Sequence, residues 1–114
     1  VEKTGNYDTL AFHIQLLLQL VDIDAFPFTR LLIRHNISKD EYDELMQLIQ
    51  QINEEFEQQR KEGLLNFLPL LVHFAGMLNE KLNPDEVIYA LKKEGYYPSL
   101  LNTFIEIIEN EKSE

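Results

Sequence analysis

No cysteine occurs in the 114 residues, which excludes disulfides, thiol nucleophiles and thiolate metal sites and is compatible with a reducing cytoplasm. A hydrophobic run of membrane length is also missing. The most hydrophobic stretch, Leu64 to Leu78, is interrupted by Asn66, Pro69, His73 and Gly76 and falls short of the roughly 20 residues a bilayer requires. A buried helix accounts for it better. Val1 to Thr9 is polar, with no basic region leading into an apolar one, so no signal peptide is expected. Because Val1 is not methionine, a trimmed start or a non-standard start codon remains open. Basic residues are scarce, 10 against 20 acidic ones, for a formal charge of −10. Such a charge repels phosphate backbones and anionic lipid surfaces, so neither nucleic acid nor a membrane is an expected partner. Glycine-rich phosphate loops, a Gly-x-Ser-x-Gly elbow and a His-Glu-x-x-His pair do not occur either.

What is present is apolar residues at helical spacing. They make up 45% of the chain against 26% charged residues, which at this length predicts one globular domain over residues 1–114, with 1–6 and 110–114 fraying. Leu10, Ile14, Leu17, Leu18 and Val21 mark a first helix from Tyr7 to Val21, and Phe12, Leu16 and Leu20 extend its apolar surface around most of the circumference. Such a helix must be covered on more than one side. Pro27 opens a second helix running to about His35, which Asn36 ends in the left-handed conformation.

Ser38-Lys39-Asp40-Glu41 has the form of a capping box. The third helix follows it, with Tyr42, Leu45, Ile49, Ile52 and Phe56 at the spacing of a lengthwise packing seam. Continued to Lys61 it is on the order of 36 Å long; its second half, Asn53 to Glu62, offers little but Phe56 for burial and is expected to project or to be covered by another subunit. Gly63 stops it. Asn66 caps a fourth helix, with Pro69 in its first turn and almost no polar face, expected to be the central one. Within it, Gly76 costs about 1 kcal/mol relative to alanine, which close packing of another helix would offset. Asn83-Pro84-Asp85-Glu86 starts a fifth helix, which Gly95 ends, and Pro98 opens a sixth carrying Leu100, Leu101, Phe104, Ile105 and Ile108. No strand pattern or internal repeat competes. The predicted fold is all-α, a compact bundle of about six helices, one long and one central.

Candidate chemistry is sparse. Asp22 and Asp24 are paired carboxylates in a loop, but an EF-hand requires glycine and glutamate where Pro27 and Ile33 stand; capping of the flanking helices is the plainer role. His13, His35 and His73 form no metal-binding pattern. His73 lies on the apolar fourth helix, where it would serve as a base or ligand only if Glu80 or Asp24 approached it; a histidine satisfied by one hydrogen bond in a core or interface is the simpler reading. Tyr89, Lys92, Lys93, Tyr96 and Tyr97 mix the side chains that stack single-stranded nucleic acid, yet helix-end lysines beside tyrosines at a helix junction explain them. Arg30 to Ile52 can be drawn as a helix-turn-helix, but its recognition helix would open with Asp40, Glu41, Asp43 and Glu44. Those acids match the positive end of the helix dipole, as Arg60 and Lys61 match its negative end. Glu106, Glu109 and Glu111 instead oppose the dipole of the sixth helix, which suits a basic partner or a frayed end.

Several stretches together resemble a small bacterial family typified by YhaI, a domain of unknown function. They are Ile14-Gln15-Leu16-Leu17, Val21-Asp22-Ile23-Asp24, Pro27-Phe28, Leu31-Leu32-Ile33, Ile37-Ser38-Lys39-Asp40-Glu41 and above all Phe74-Ala75-Gly76-Met77-Leu78-Asn79-Glu80-Lys81-Leu82. Ala90-Leu91, Glu94-Gly95-Tyr96-Tyr97 and Phe104-Ile105 continue the likeness across nearly the whole chain, apart from the second half of the third helix. The resemblance implies a multihelical, cytoplasmic, self-associating protein and transfers no catalytic residues.

The leading functional expectation is a homo-oligomeric interaction or regulatory module, a dimer or trimer, without catalytic activity or cofactor, because four of the helices carry more apolar face than one small domain covers. A small enzyme or a ligand- or metal-binding protein with an interhelical pocket near His73, Glu80, Asp22 and Asp24 is the rival expectation. An acidic regulator that occupies a basic protein surface through Glu109, Glu111 and Glu114 is the third.

Overall fold

A computed structural model describes residues 2–112, with side chains from Asn6 onward except at position 23. Position 1 and positions 113–114, on which part of the expected fraying and Glu114 fall, lie outside the described residues. The architecture is all-α: α1 (Glu2–Leu20), a short 3-10 turn (Ile23–Ala25), α2 (Pro27–Arg34), α3 (Lys39–Lys61), α4 (Leu68–Met77), α5 (Pro84–Lys93) and α6 (Pro98–Lys112).

Most of these boundaries follow from local chemistry. Ser38 Oγ accepts the Glu41 N–H at 3.1 Å while the Glu41 carboxylate accepts the Ser38 N–H at 2.9 Å, a complete capping box. Asn83 Oδ1 accepts the Glu86 N–H at 3.1 Å, with Pro84 in the first turn. At the other ends, Asn36 stands at φ 55°, Gly63 at 81° and Gly95 at 89°, the left-handed conformation that ends helices.

The body is built from α2 to α6. Val87, Ile88 and Leu91 of α5 are fully buried, with α5 packed on α6 on one side and α2 on the other. From α6, Leu100, Leu101 and Phe104 complete this centre, and α3 contributes Leu45, Ile49, Ile52 and Phe56 from its predicted seam. The helix the body surrounds is therefore α5, where the sequence pointed to α4. One face of α4 is buried through Leu70 and Phe74, the Phe74 ring lying 6.1 Å from Phe104; Val72, His73 and Met77 face outward. The second half of α3 does not stand free. Phe56 packs on Phe67 with ring centroids 4.8 Å apart, and the Arg60 guanidinium lies 5.3 Å above the Phe56 ring. The cover comes from the same chain, from the residue just before α4.

Two carboxylates tie distant segments together. Glu94, just past α5, accepts the N–H groups of Phe28 and Thr29 at 2.5 and 3.0 Å, the first-turn donors of α2 that its own N-cap residue, Phe26, leaves without a side-chain partner. Glu41 reaches beyond its capping box to Lys81 Nζ at 2.8 Å and Asn79 Nδ2 at 2.8 Å, and Lys81 also donates to the Asn36 carbonyl at 3.3 Å. The start of α3 is thereby held to the α4–α5 connection. Lys81, then the Ser38 backbone and Asn79, hold the Glu41 carboxyl down to about 2.

Two predictions follow from this packing. Because the folded pKa of Glu41 lies below its unfolded value, its contribution to stability is present in full above about pH 4.5 and is lost as pH falls towards 2. Urea titrations at stepped pH are expected to show a shallower acid decline for Glu41→Gln than for the parent chain. A Cβ at Gly76 meets nothing within 4 Å, so the close helix packing expected there is absent within the chain. Gly76→Ala is expected to raise stability by roughly 0.5–1 kcal/mol, read from the urea midpoint; a loss instead would place another helix against this position.

Candidate interaction surface

The most apolar uncovered element is α1. Tyr7, Leu10, Phe12, Ile14, Leu16, Leu17, Leu18 and Leu20 are between 37 and 81% exposed, and Val21 beyond the helix is 53% exposed. The chain measures 61 × 25 × 24 Å, with a radius of gyration of 17.4 Å against about 13 Å for a compact chain of this length. The difference reflects α1, a helix of about 28 Å that begins at Glu2, ahead of the expected start at Tyr7. The predicted two-sided apolar surface is present, but among the described residues nothing covers most of it.

These nine side chains leave on the order of 800 Å² of largely apolar surface in water, about what one partner contributes to a standard stable interface. From Thr9 to Val21 the only titratable side chain is His13, so in a chain of charge −10 this stretch is free of formal charge at neutral pH.

The surface continues past the end of α1. Leu18 and Val21, with Phe26, Thr29, Arg30, Ile33 and Arg34, line a groove of about 450 Å³ between α1 and α2. Its floor is apolar, Phe26 and Ile33 being more than half exposed, and its rim carries two guanidinium groups. Arg30 lies 3.4 Å from Asp24; Arg34 has no ion pair among the described residues.

On the other side of α2, a groove of about 470 Å³ is lined by Arg30, Arg34, Tyr89 and Lys93 together with Asp85 and Glu86, so its charge is mixed. Tyr89 Oη donates to Glu109 at 3.3 Å. Tyr96 stands edge-on to Phe28 at 5.7 Å, and burial pushes its phenol pKa up. Tyr96 is thus part of the packing of α2 on the body, as the plainer sequence reading had it.

His73 and Glu80 are exposed, on α4 and in the connection after it. Asp22 accepts the Asp24 N–H at 3.1 Å, a local turn, and both carboxylates are exposed. Capping of α2, the role expected of this pair, belongs to Glu94. Among the described residues, no hydrogen bond or ion pair joins His73, Glu80, Asp22 and Asp24 to one another except that turn, and they line none of the principal grooves. Nor, among the described residues, do three or more histidine, aspartate or glutamate side chains cluster as a metal would require.

Sequence reasoning did not reach Glu94 or the Glu41–Lys81 tie, each of which joins residues about 40 to 66 positions apart. It identified the apolar faces of α1 without locating their cover. Among the described residues no helix is long and apolar enough to cross a membrane.

Comparison with protein families agrees in extent with this helical architecture. The model for "Protein of unknown function (DUF1878)" matches residues 4–109, from within α1 almost to the end of α6, and the chain belongs to that family.

Proposed function

We propose that the protein is a homo-oligomeric helical module whose role is interaction or regulation rather than catalysis, and that α1 is its assembly element. The observation that carries this reading is the surface of α1, on the order of 800 Å² of largely apolar area without formal charge and without cover in its own chain. Most helical stability in proteins comes from packing an apolar face rather than from propensity. Cover for α1 therefore has a large thermodynamic return, at about 25 cal/mol per Å² removed from water. Asp and Glu elsewhere on the surface disfavour other self-contacts through like-charge repulsion, except along the uncharged Leu64–Asn79 stretch, where Leu65, Val72 and Met77 are also exposed but α1 exposes more. The Phe74–Leu82 stretch supports a YhaI-like place within the family, and the absence of cysteine suits a cytoplasmic setting.

The test is native mass spectrometry of the ligand-free chain, beside light scattering at 1 to 100 µM. A multimer is expected, and Leu17→Asp is expected to convert it to a monomer with unchanged helical content in the body, because Leu17 is 59% exposed and outside the core. A parent chain that is monomeric throughout that concentration range would overturn the proposal.

A further inference from the structure

We infer that the N-terminal half of α1 in one copy seats in the α1–α2 groove of a second copy, with Asp8 facing the partner's Arg34. This rests on the homo-oligomer reading above and names the contact that would make it.

Three observations select this occupant. The first is continuity. Tyr7, Leu10 and Ile14 follow one another at steps of three and four, and Leu18 and Val21 extend the same stripe. Leu18 and Val21 are also one wall of the groove. A second copy's Tyr7–Leu10–Ile14 stripe laid there packs helix on helix against Leu18 and Val21 and covers Phe26 and Ile33 in the same contact. A seam between parallel α1 helices would bury the stripe but leave Phe26 and Ile33 in water.

The second is charge. The groove carries Arg30 and Arg34 on its rim, and Asp8, next to Tyr7 and about 100° round α1 from it, is exposed on the flank of the stripe, the side a rim meets when the stripe lies on the floor. Arg30 is engaged by Asp24 in its own chain, which leaves Arg34 for the incoming carboxylate. Elsewhere in a chain of charge −10 an approaching Asp8 meets mostly like charge.

The third is direction. The groove lies at the C-terminal end of α1, so the contact brings the positive half of one α1 towards the negative end of the other, a modestly favourable pairing of opposite helix ends. It also carries the exposed N-terminal half onto a folded body. In its own chain that half is out of reach of the groove: Tyr7 lies 13 residues, about 20 Å along the helix, from Leu20. A reciprocal exchange of this contact closes as a dimer, and a head-to-tail exchange gives a ring where its rotation closes and a filament where it does not.

The cysteine-free sequence permits a direct test. The full-length chain is prepared as Tyr7→Cys, Ile33→Cys and the double variant, each under mild oxidation, and run on non-reducing denaturing gels, with native mass spectrometry of the reduced samples. The double variant is expected to yield covalent species of twice the chain mass or more, and each single variant at most a small fraction of that yield. Asp8→Arg is expected to lower the yield, and Arg34→Glu added to it to restore the yield. Self-linking of Tyr7→Cys alone would mean parallel α1 pairing and would overturn the inference. A link within one chain in the double variant, showing α1 folded onto its own body, would do the same. Assembly without any link overturns this contact and leaves the oligomer reading standing; a monomer by native mass spectrometry overturns both.

Discussion

The burial of α5 is the constraint on which the rest of the body depends. Ten residues are too few to form a stable helix in water, yet Val87, Ile88 and Leu91 are fully removed from solvent and Ala90 nearly so. Asn83 and Pro84 define where the helix starts, and Gly95 at φ 89° turns the chain out of it, but ordering its backbone still costs about 1–2 kcal/mol per residue, which packing must offset. The offset comes from α6 on one side and α2 on the other. Because α2 is itself only eight residues long and lacks a cap of its own, it relies on Glu94 at the end of α5 to accept its first N–H groups. Each of the two short helices supplies what the other lacks.

The same dependence explains how much of the fold was legible in the sequence. Signals that act within a few residues were readable: the Ser38–Glu41 box, the Asn83–Pro84 start, and the left-handed positions Asn36, Gly63 and Gly95 all occur where local chemistry places them. The seam Leu45–Ile49–Ile52–Phe56 was equally readable because its spacing reports one buried face. Relations between distant segments were not. No local rule identifies Glu94 as the cap of α2, since a carboxylate beside a terminating glycine reads as an ordinary solvated residue. Asp22 and Asp24, nearer in sequence, were the more natural choice for that role. The centre of the bundle was misplaced for a related reason. The composition of α4 is more apolar than that of α5, but apolar composition does not say which side of a helix its own chain covers.

α1 is the sharpest instance. Leu10, Phe12, Ile14, Leu16, Leu17 and Leu18 give the pattern of a helix buried on two sides, and that pattern is the same whether the covering atoms belong to the same chain or to another. Periodicity reports that a face prefers to leave water; it carries no information about the molecule that receives it. The candidate site was legible as residues and illegible as a place. By contrast, His73 and Glu80 lie exposed on α4 and the connection after it, and Asp22 and Asp24 lie exposed in the α1–α2 connection, with no hydrogen bond or ion pair among the described residues joining the first two to the second two.

The distribution of charge connects the two halves of this picture. At physiological ionic strength the Debye length is about 8 Å, so two chains of charge −10 repel strongly only as their surfaces come together, and what they meet in contact decides whether they associate. Across the body, Asp and Glu line the exposed faces of α3 and α6 and penalise such contact. The penalty vanishes from Thr9 to Val21, where the exposed apolar area is greatest, and again from Leu64 to Asn79, where fewer large apolar side chains are exposed. In the proposed assembly, acidic surface and neutral helix would have complementary roles: the first would discourage indiscriminate pairing, and the second would concentrate association on α1. On the proposed assembly, a Lys or Glu introduced in the middle of α1 would therefore act twice, by costing desolvation at the proposed contact and by bringing formal charge to the helix that otherwise lacks it.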